Sequence, residues 1–443
     1  MMLARRARAG YSFGAGAPDA RGEERMAELA AAPGVQGQER DLSWPKLKIA
    51  FACLVGLMLA GGGFAQGAVA LVMGPLQQAF GWSRAEIGFG LTLMTWAGAG
   101  AMPLFGMAMD RVGARWVLTG AAALIAAVTF AFGLVQGALW QFYACFVALG
   151  VLNASALGYT KIVSGLFSRH RGKAFALFTA EATIVAALLP QLMKVFLEQG
   201  GWRTVFLWLA ALKLALALPI LLAWLRDPAR PAQASPSPDL LEGMGVGAAL
   251  RTRAFWLIAA ANMGGGLVIY GLLPHLVGMM KSHGLGLDAA VGAMSLMAVF
   301  NALGQLSSGF VIDRVPNPKV AAAYLCLFLA GIGLISVASA ATGPLPLYAG
   351  VALMGLGGGS QQVMRNYMFT RYFGLKAFAS ILGLFMAMQA VLTAPSPFLI
   401  GLIYDRTGRY DLAFAAFVAA AVVSILAFLA LPPFRFAAAA PRR

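Results

Sequence analysis

Lys161 stands in the stretch NASALGYTKIVSGLF, residues 153–167, which is otherwise apolar enough to sit in lipid. An ammonium group at that depth costs roughly 2.5 kcal/mol or more, so something must compensate it or use it. Three more cations, Lys194, Lys213 and Arg365, lie in comparably apolar stretches, against one clear acid, Glu181. An excess of buried positive charge is the chemistry of anion recognition. Asn153, Thr160, Lys161 and Ser164 recur at a spacing near 3.6 and so share one helix face. Gln361 and Gln362 precede Arg365 by four and three positions and make a polar stripe with it. A guanidinium grips a carboxylate through two parallel hydrogen bonds, so a small organic carboxylate suits this set. Two plainer readings stay open. Either cation can reach the membrane surface along its aliphatic stem, or Lys161 and Glu181 can form a purely structural ion pair.

What the chain lacks narrows the chemistry. It contains no CxxC, HExxH, GxSxG or GxxxxGK[ST], which argues against a zinc site, a serine hydrolase and a built-in ATPase. No enzyme activity, metal or cofactor is therefore expected. Cys53, Cys145 and Cys326 are isolated in apolar runs and read as small core residues.

The elements that must position these side chains are membrane spans. Of 443 residues, 60% are hydrophobic and 11% charged, more apolar surface than a soluble chain of this length can hide. Runs of about 20 apolar residues cross a bilayer. Twelve are predicted, near 48–73, 87–109, 116–136, 139–163, 174–197, 202–225, 254–280, 289–312, 320–341, 345–369, 377–403 and 411–433. At 1.5 Å per residue, Lys161 lies ~10 Å inside one end of span 4, and Glu181 ~10 Å inside the same end of span 5. Lys194 is read as reaching its nearby surface. His275, near the other end of span 7, reads as a gate residue, a proton relay or an interfacial hydrogen bond. Lys213, near the middle of span 6, has no sequence-level explanation.

Twelve spans put both chain ends on one side. Of the 33 Lys and Arg residues, 24 lie on that side, and Arg84, Arg203, Lys281, Arg406 and Arg409 lie opposite. The positive-inside rule then makes the termini of a multi-pass protein cytoplasmic, and the resemblance drawn below implies the inner membrane of a bacterium. The net charge of +16 is thus topology and no sign of nucleic-acid binding. Residues 1–46 read as a disordered tail in which Met1 or Met26 could start the chain, and 435–443 as a second tail. Residues 226–252, rich in Pro and Ser, read as a linker between six-helix bundles at 47–225 and 253–434.

The bundles look like copies. GGG at 61–63 returns at 264–266, GMAMDR at 106–111 returns as GFVIDR at 309–314, and KAFA at 173–176 returns at 376–379. All three pairs share an offset of 203 residues, and a parallel duplication of this kind places a binding site between the halves. By that offset Arg365 aligns with Ile162, beside Lys161, so each half offers one cation at nearly the same place.

GMAMDRVGARW resembles the loop motif of the major facilitator superfamily. The resemblance covers residues 48–433 and implies an all-α membrane protein of two parallel six-helix repeats. It also implies a conformational lock from Gly106, Asp110, Arg111 and Arg115, with Asp313 and Arg314 in the second copy. In this fold Gly106 permits close helix approach and Asp110 faces a helix N-terminus. GWSRAEIG (81–88), FSRHRGKAFAL (167–177), RYFGLKAF (371–378) and GLIYDRTGRYDLAF (401–414) resemble bacterial members of its monocarboxylate transporter and oxalate/formate antiporter branch. Many of those carry a substrate-binding arginine in span 8, within N-x-x-G-R. Here the segment is NALGQ, with Asn301 kept and Gln305 in the arginine's place.

The resemblance implies that span 4 lines the central cavity. The expected substrate contacts are Lys161, Arg365, Asn153, Tyr159, Gln361, Gln362, Asn301 and Gln305, with Glu181 as the proton-coupling candidate. Gln66, Asn262, Tyr270 and Gln389 are further polar groups that a cavity could use. The expected function is alternating-access transport of a small organic anion, a mono- or dicarboxylate, by a monomer coupled to protons or to exchange. The alternative is proton-driven efflux of amphipathic or cationic drugs, with Glu181 as the ligand.

Overall fold

The computed structural model describes residues 44–60, 63–166, 171–227, 243–374 and 376–434, and its packing contacts belong to the unit that begins at Lys48. Among the described residues the only strand-like pairings are two isolated bridges, Gly243 with Gly374 and Ser339 with Gly343. Helix dominates for a physical reason: lipid offers no partner to a backbone amide, and a helix satisfies its own.

Span 1 is Trp44–Ala60 followed by Gly63–Phe80, span 2 Arg84–Val112, span 3 Ala114–Gly133, and span 4 Leu139–Asn153 followed by Leu157–Leu166. Spans 5 and 6 share the helix Arg171–Leu212, bent where Gly201 adopts φ 75°, and span 6 ends as Leu218–Trp224. Spans 7 to 10 are Arg253–Ser282, Leu287–Arg314, Lys319–Ser336 and Leu345–Phe373. Span 11 is Phe378–Thr393 with Ser396–Thr407, and span 12 is Asp411–Leu429. Nine described helices are long and apolar enough to cross a membrane, one of which carries spans 5 and 6 together. Span 10 falls short of that measure because it holds a glycine run, Gln361, Gln362 and Arg365. Within the range read as a linker, Val246–Leu250 is a short helix, and Met244 donates its N–H to the Phe373 carbonyl at 2.8 Å.

Local chemistry sets the helix starts. Ser83 and Glu86 form a reciprocal capping box that opens span 2, and the Thr252 hydroxyl accepts the Phe255 N–H at 3.2 Å to open span 7. Repeat-related pairs then pack backbone against backbone. A Cβ on Gly150 of span 4 would overlap the Met94 carbonyl of span 2, and one on Gly359 of span 10 would overlap the Asn301 carbonyl of span 8. Gly359→Leu must therefore force two helices apart, and we expect a loss of about 1–3 kcal/mol. A thermal melt of the detergent-solubilised protein checks this. Gly333→Leu, where no described atom lies within 4 Å of a built Cβ, should melt like the parent.

The bundle has two ends. The linker face carries Asp227 and Gly243. The far face carries the turn before span 2 and the turn between spans 11 and 12.

Candidate functional site

Arg365 lies on the face that span 10 turns toward spans 7 and 11. Its Nη1 donates to Gln389 Oε1 at 3.4 Å, and Gln389 Nε2 donates in turn to the Asn262 carbonyl at 3.2 Å. The guanidinium lies 5.9 Å from the Phe385 ring centroid, and Tyr270 comes within electrostatic reach. Gln361, one turn earlier, lies against Gly265 so closely that a Cβ there would collide with its amide. Arg365 Nε and Gln361 Nε2 are buried without a hydrogen-bond partner, as is Asn262 Oδ1. No carboxylate pairs with Arg365 among the described residues. Gln362 is exposed, since neighbours on a helix point about 100° apart. The stripe read from spacing is therefore Gln361 and Arg365 alone.

The departure at Gln305 has a local consequence. Gln305 Nε2 donates to Asn301 Oδ1 at 2.9 Å, one turn back on span 8, so these two amides satisfy each other.

In the first half the structure alters the face read on span 4. A 3-10 turn, Ala154–Ala156, separates Asn153 from the helix Leu157–Leu166. Three residues wound at three per turn shift the phase by about 60° relative to an α-helix, so Asn153 does not continue the face of residues 160, 161 and 164. Tyr159 is corrected as well. It is 1% exposed, and a Cβ on Gly56 of span 1 would fall 2.6 Å from its ring, which makes it a packing group between spans 1 and 4. The side chains of Lys161 and Gln66 lie outside the described residues. Glu181 is 8% exposed, and its expected pairing with Lys161 lies outside the described residues too. Lys213 gains an account: buried in a π-helical turn, Lys213–Ala217, it donates to Thr129 Oγ1 of span 3 at 2.9 Å.

At the linker face the loop motif has a described anchor. Arg115 is half-buried, with its backbone N–H on Asp227 Oδ1 at 3.0 Å and Nη2 on the Leu222 carbonyl at 2.9 Å. The start of span 3 is thereby tied to the end of span 6. Asp110, Arg111, Asp313 and Arg314 are exposed. Among the described residues, Gly106 shows no close helix approach. No described atom lies within 4 Å of a Cβ built on it, nor on Gly309 in the second copy.

At the far face the two halves meet closely, a feature that sequence reading missed. Arg84, at the start of span 2, lies 3.6 Å from the Tyr404 ring centroid, donates through Nη1 to the Tyr410 hydroxyl, and donates through Nε to Gln77 Oε1 at 3.2 Å. Asp405 accepts the N–H groups of Arg84 and Ala85 at 3.1 and 2.8 Å, so a carboxylate of span 11 caps span 2. Thr92 Oγ1 donates to the Ala394 carbonyl at 2.8 Å, deeper in the same seam. Lys194, expected to reach the surface alone, instead pairs across the halves with Asp288 of span 8 and on its own helix with Glu198 at 3.6 Å. Less the offset of 203, Asp288 falls beside Arg84, so the two latches join repeat-related pairs of spans, 2 with 11 and 8 with 5, with the charges exchanged. The visible signal was the pair of signature stretches, GWSRAEIG and GLIYDRTGRYDLAF, which form the two sides of one closure.

The model of the Major Facilitator Superfamily matches residues 53–397 and 293–442. Monocarboxylate transporter 11 of Mus musculus is 28% identical over 64% of this chain and 61% of its own length. The 3-(3-hydroxy-phenyl)propionate transporter of Escherichia coli is 26% identical over 60% of this chain and 63% of its own. The chain thus spans about three fifths of the length of each of these relatives. Among solved structures, an inward-facing bacterial homologue of the human lysosomal transporter Spinster superposes with a TM-score of 0.65 at 16% identity, covering 89% of this chain and 96% of its own. The nucleoside transporter NupG superposes with a TM-score of 0.69 at 17% identity, covering 87% and 99%. These two likenesses establish the fold and say nothing of cargo.

Proposed function

The chain belongs to the Major Facilitator Superfamily, and from that premise we propose that it is a secondary transporter of small organic anions, with a carboxylate as cargo. One observation carries this reading. Arg365 is an intramembrane guanidinium whose described partners are a neutral amide and aromatic rings, with no acid to balance it. A charge in that setting is costly to keep without a purpose, and a carboxylate that fills it removes the cost. The curated relatives, a monocarboxylate transporter and a transporter of an aromatic acid, support the same class.

In this reading Arg365 and Gln361 take the carboxylate, Gln389 and Asn262 hold the guanidinium in place, and Lys161 supplies the second cation from span 4. Asn301 and Gln305 shape the wall without a charge of their own. The bundles 47–225 and 253–434 rock about the site. The far face, closed here by Arg84, Asp405 and Lys194, opens as the linker face assembles around Gly106, Asp110 and Arg111. Charge distribution puts the linker face and both termini in the cytoplasm of a bacterial inner membrane. A monomer suffices, with protons or a counter-substrate as the driving partner. Efflux of amphipathic cations is the rival reading, and buried Glu181 is what favours it.

The deciding experiment is thermal stabilisation of the purified protein by a panel of mono- and dicarboxylates and lipophilic cations, with Lys161→Gln alongside. A ligand that binds the folded state must raise the melting temperature. Carboxylates should stabilise the parent and stabilise Lys161→Gln much less. Stabilisation by cations alone, equal in both, would replace the anion reading with the efflux one.

A further inference from the structure

His275 is fully buried in span 7, close to the far-face closure, and anion binding gives it no task. Its Nε2 is 2.8 Å from the Pro397 carbonyl of span 11, a distance that makes Nε2–H the donor. Its Nδ1 is buried and has no hydrogen-bond partner. The ring is therefore held as a neutral imidazole with one unused lone pair.

At the closure the first half covers the surroundings of that ring. His275, Pro397 and Tyr410 all belong to the second half, and two groups of the first half cover them. The backbone of span 2 lies on the same carbonyl, since a Cβ on Gly88 would fall 2.7 Å from the Pro397 oxygen. Arg84 lies over Gly278, three residues along span 7 from His275, where a Cβ would meet its Nη1 at 2.7 Å and the Tyr410 hydroxyl at 3.1 Å. The Tyr410 and His275 rings are 6.1 Å apart. Rotation of the first half away from the far face removes both covers together.

Among the described residues, each acid near the closure already has a partner. Asp405 and Tyr404 of span 11 are engaged with Arg84 itself. Glu86 of span 2 is taken up by Ser83, Asp288 of span 8 by Lys194, and Asp411 at the start of span 12 by Arg409. On its own helix, Lys281 adds positive charge, and His283 Nδ1 is bonded at 2.8 Å to the Ala338 carbonyl. An imidazolium at His275 would thus lie beside a guanidinium, with a buried N–H that has no acceptor.

We infer that His275 is a proton-binding site of the far-face closure: Nδ1 takes a proton from the far-side solution when the halves part there, and must return it to that solution before they can close. The proton is exchanged on one side only, so His275 sets which way the site faces as far-side pH changes and does not itself carry a proton across. Because the proton binds only the far-open state, acid favours that state by linkage. The closure behaves in this way whatever the cargo is.

The test is a distance measurement between spin labels at Gln136→Cys and Ala341→Cys, exposed far-face positions on opposite halves. The background carries Cys53→Ala, Cys145→Ala and Cys326→Ser, in nanodiscs, with spectra at pH 8 and pH 5. In the parent, the ratio of far-open to far-closed distances should rise at least about tenfold on acidification, equivalent to about 1.4 kcal/mol. His275→Gln keeps a donor for Pro397 and cannot take a proton, so it should stay closed at both pH values. A parent without a pH response overturns the proposal even if the His275 variant fails to fold. A normal response in His275→Gln overturns it as well.

Discussion

Arg365→Gln will weaken carboxylate binding by about 30-fold to several thousand-fold while leaving the fold intact. The range follows from the cost of removing one partner of a desolvated, hydrogen-bonded charge pair, about 2–5 kcal/mol. Glutamine preserves a donor toward Gln389 and fits the space, so the lost quantity is the charge and its two-pronged grip. Arg365→Lys separates those two: the charge remains, but a point charge replaces the planar fork, and the variant should fall between parent and Gln. Titration of the purified protein with a carboxylate that stabilises the parent reads all three. Unchanged affinity in Arg365→Gln would remove Arg365 from the site and leave the cargo to be found elsewhere.

Arg84→Ala will raise the ratio of far-open to far-closed protein by about 5- to 400-fold. Only contacts that bridge the halves count here, because the bond to Gln77 lies within the first half. The bridging terms are the ring contact with Tyr404, about 0.5–2 kcal/mol, and the hydrogen bond to Tyr410, about 0.5–1.5 kcal/mol. Their sum, about 1–3.5 kcal/mol, spans and slightly exceeds the ~1–3 kcal/mol typical of coupling between conformational states. Asp288→Ala should shift the same ratio less. Its carboxylate is 80% exposed in the pair with Lys194, and such surface pairs are screened by solvent. The same pair of far-face labels reads both variants. A larger shift from Asp288→Ala would mean that the repeat-related latch on spans 5 and 8 dominates.

Much of this molecule can be read along one dimension. The spans follow from runs of apolar residues, since the bilayer sets their length, and side follows from where lysine and arginine accumulate. The duplication shows as three fragments at one offset. The intramembrane cations stand out because their setting is so costly. Even the stretches that build the closure were recognisable as signatures, although nothing in either one names its partner.

Other features depend on the third dimension. Whether Asn153 shares a face with the residues after it turned on three residues of 3-10 helix, a small change in winding that spacing arguments assume away. Tyr159 has the composition of a cavity residue, yet a glycine one span away lets the chain close over it. Lys194 looked like a surface residue until span 8 brought Asp288 to it, and His275 became informative only when Gly88 and Arg84 of the other half were seen to cover it. The sequence by itself determined the spans, the repeat and the chemical types available inside them. Only the tertiary structure decided which of those groups are covered, which are paired and which are left with unused bonding capacity, because those properties belong to contacts between residues as far as 326 positions apart.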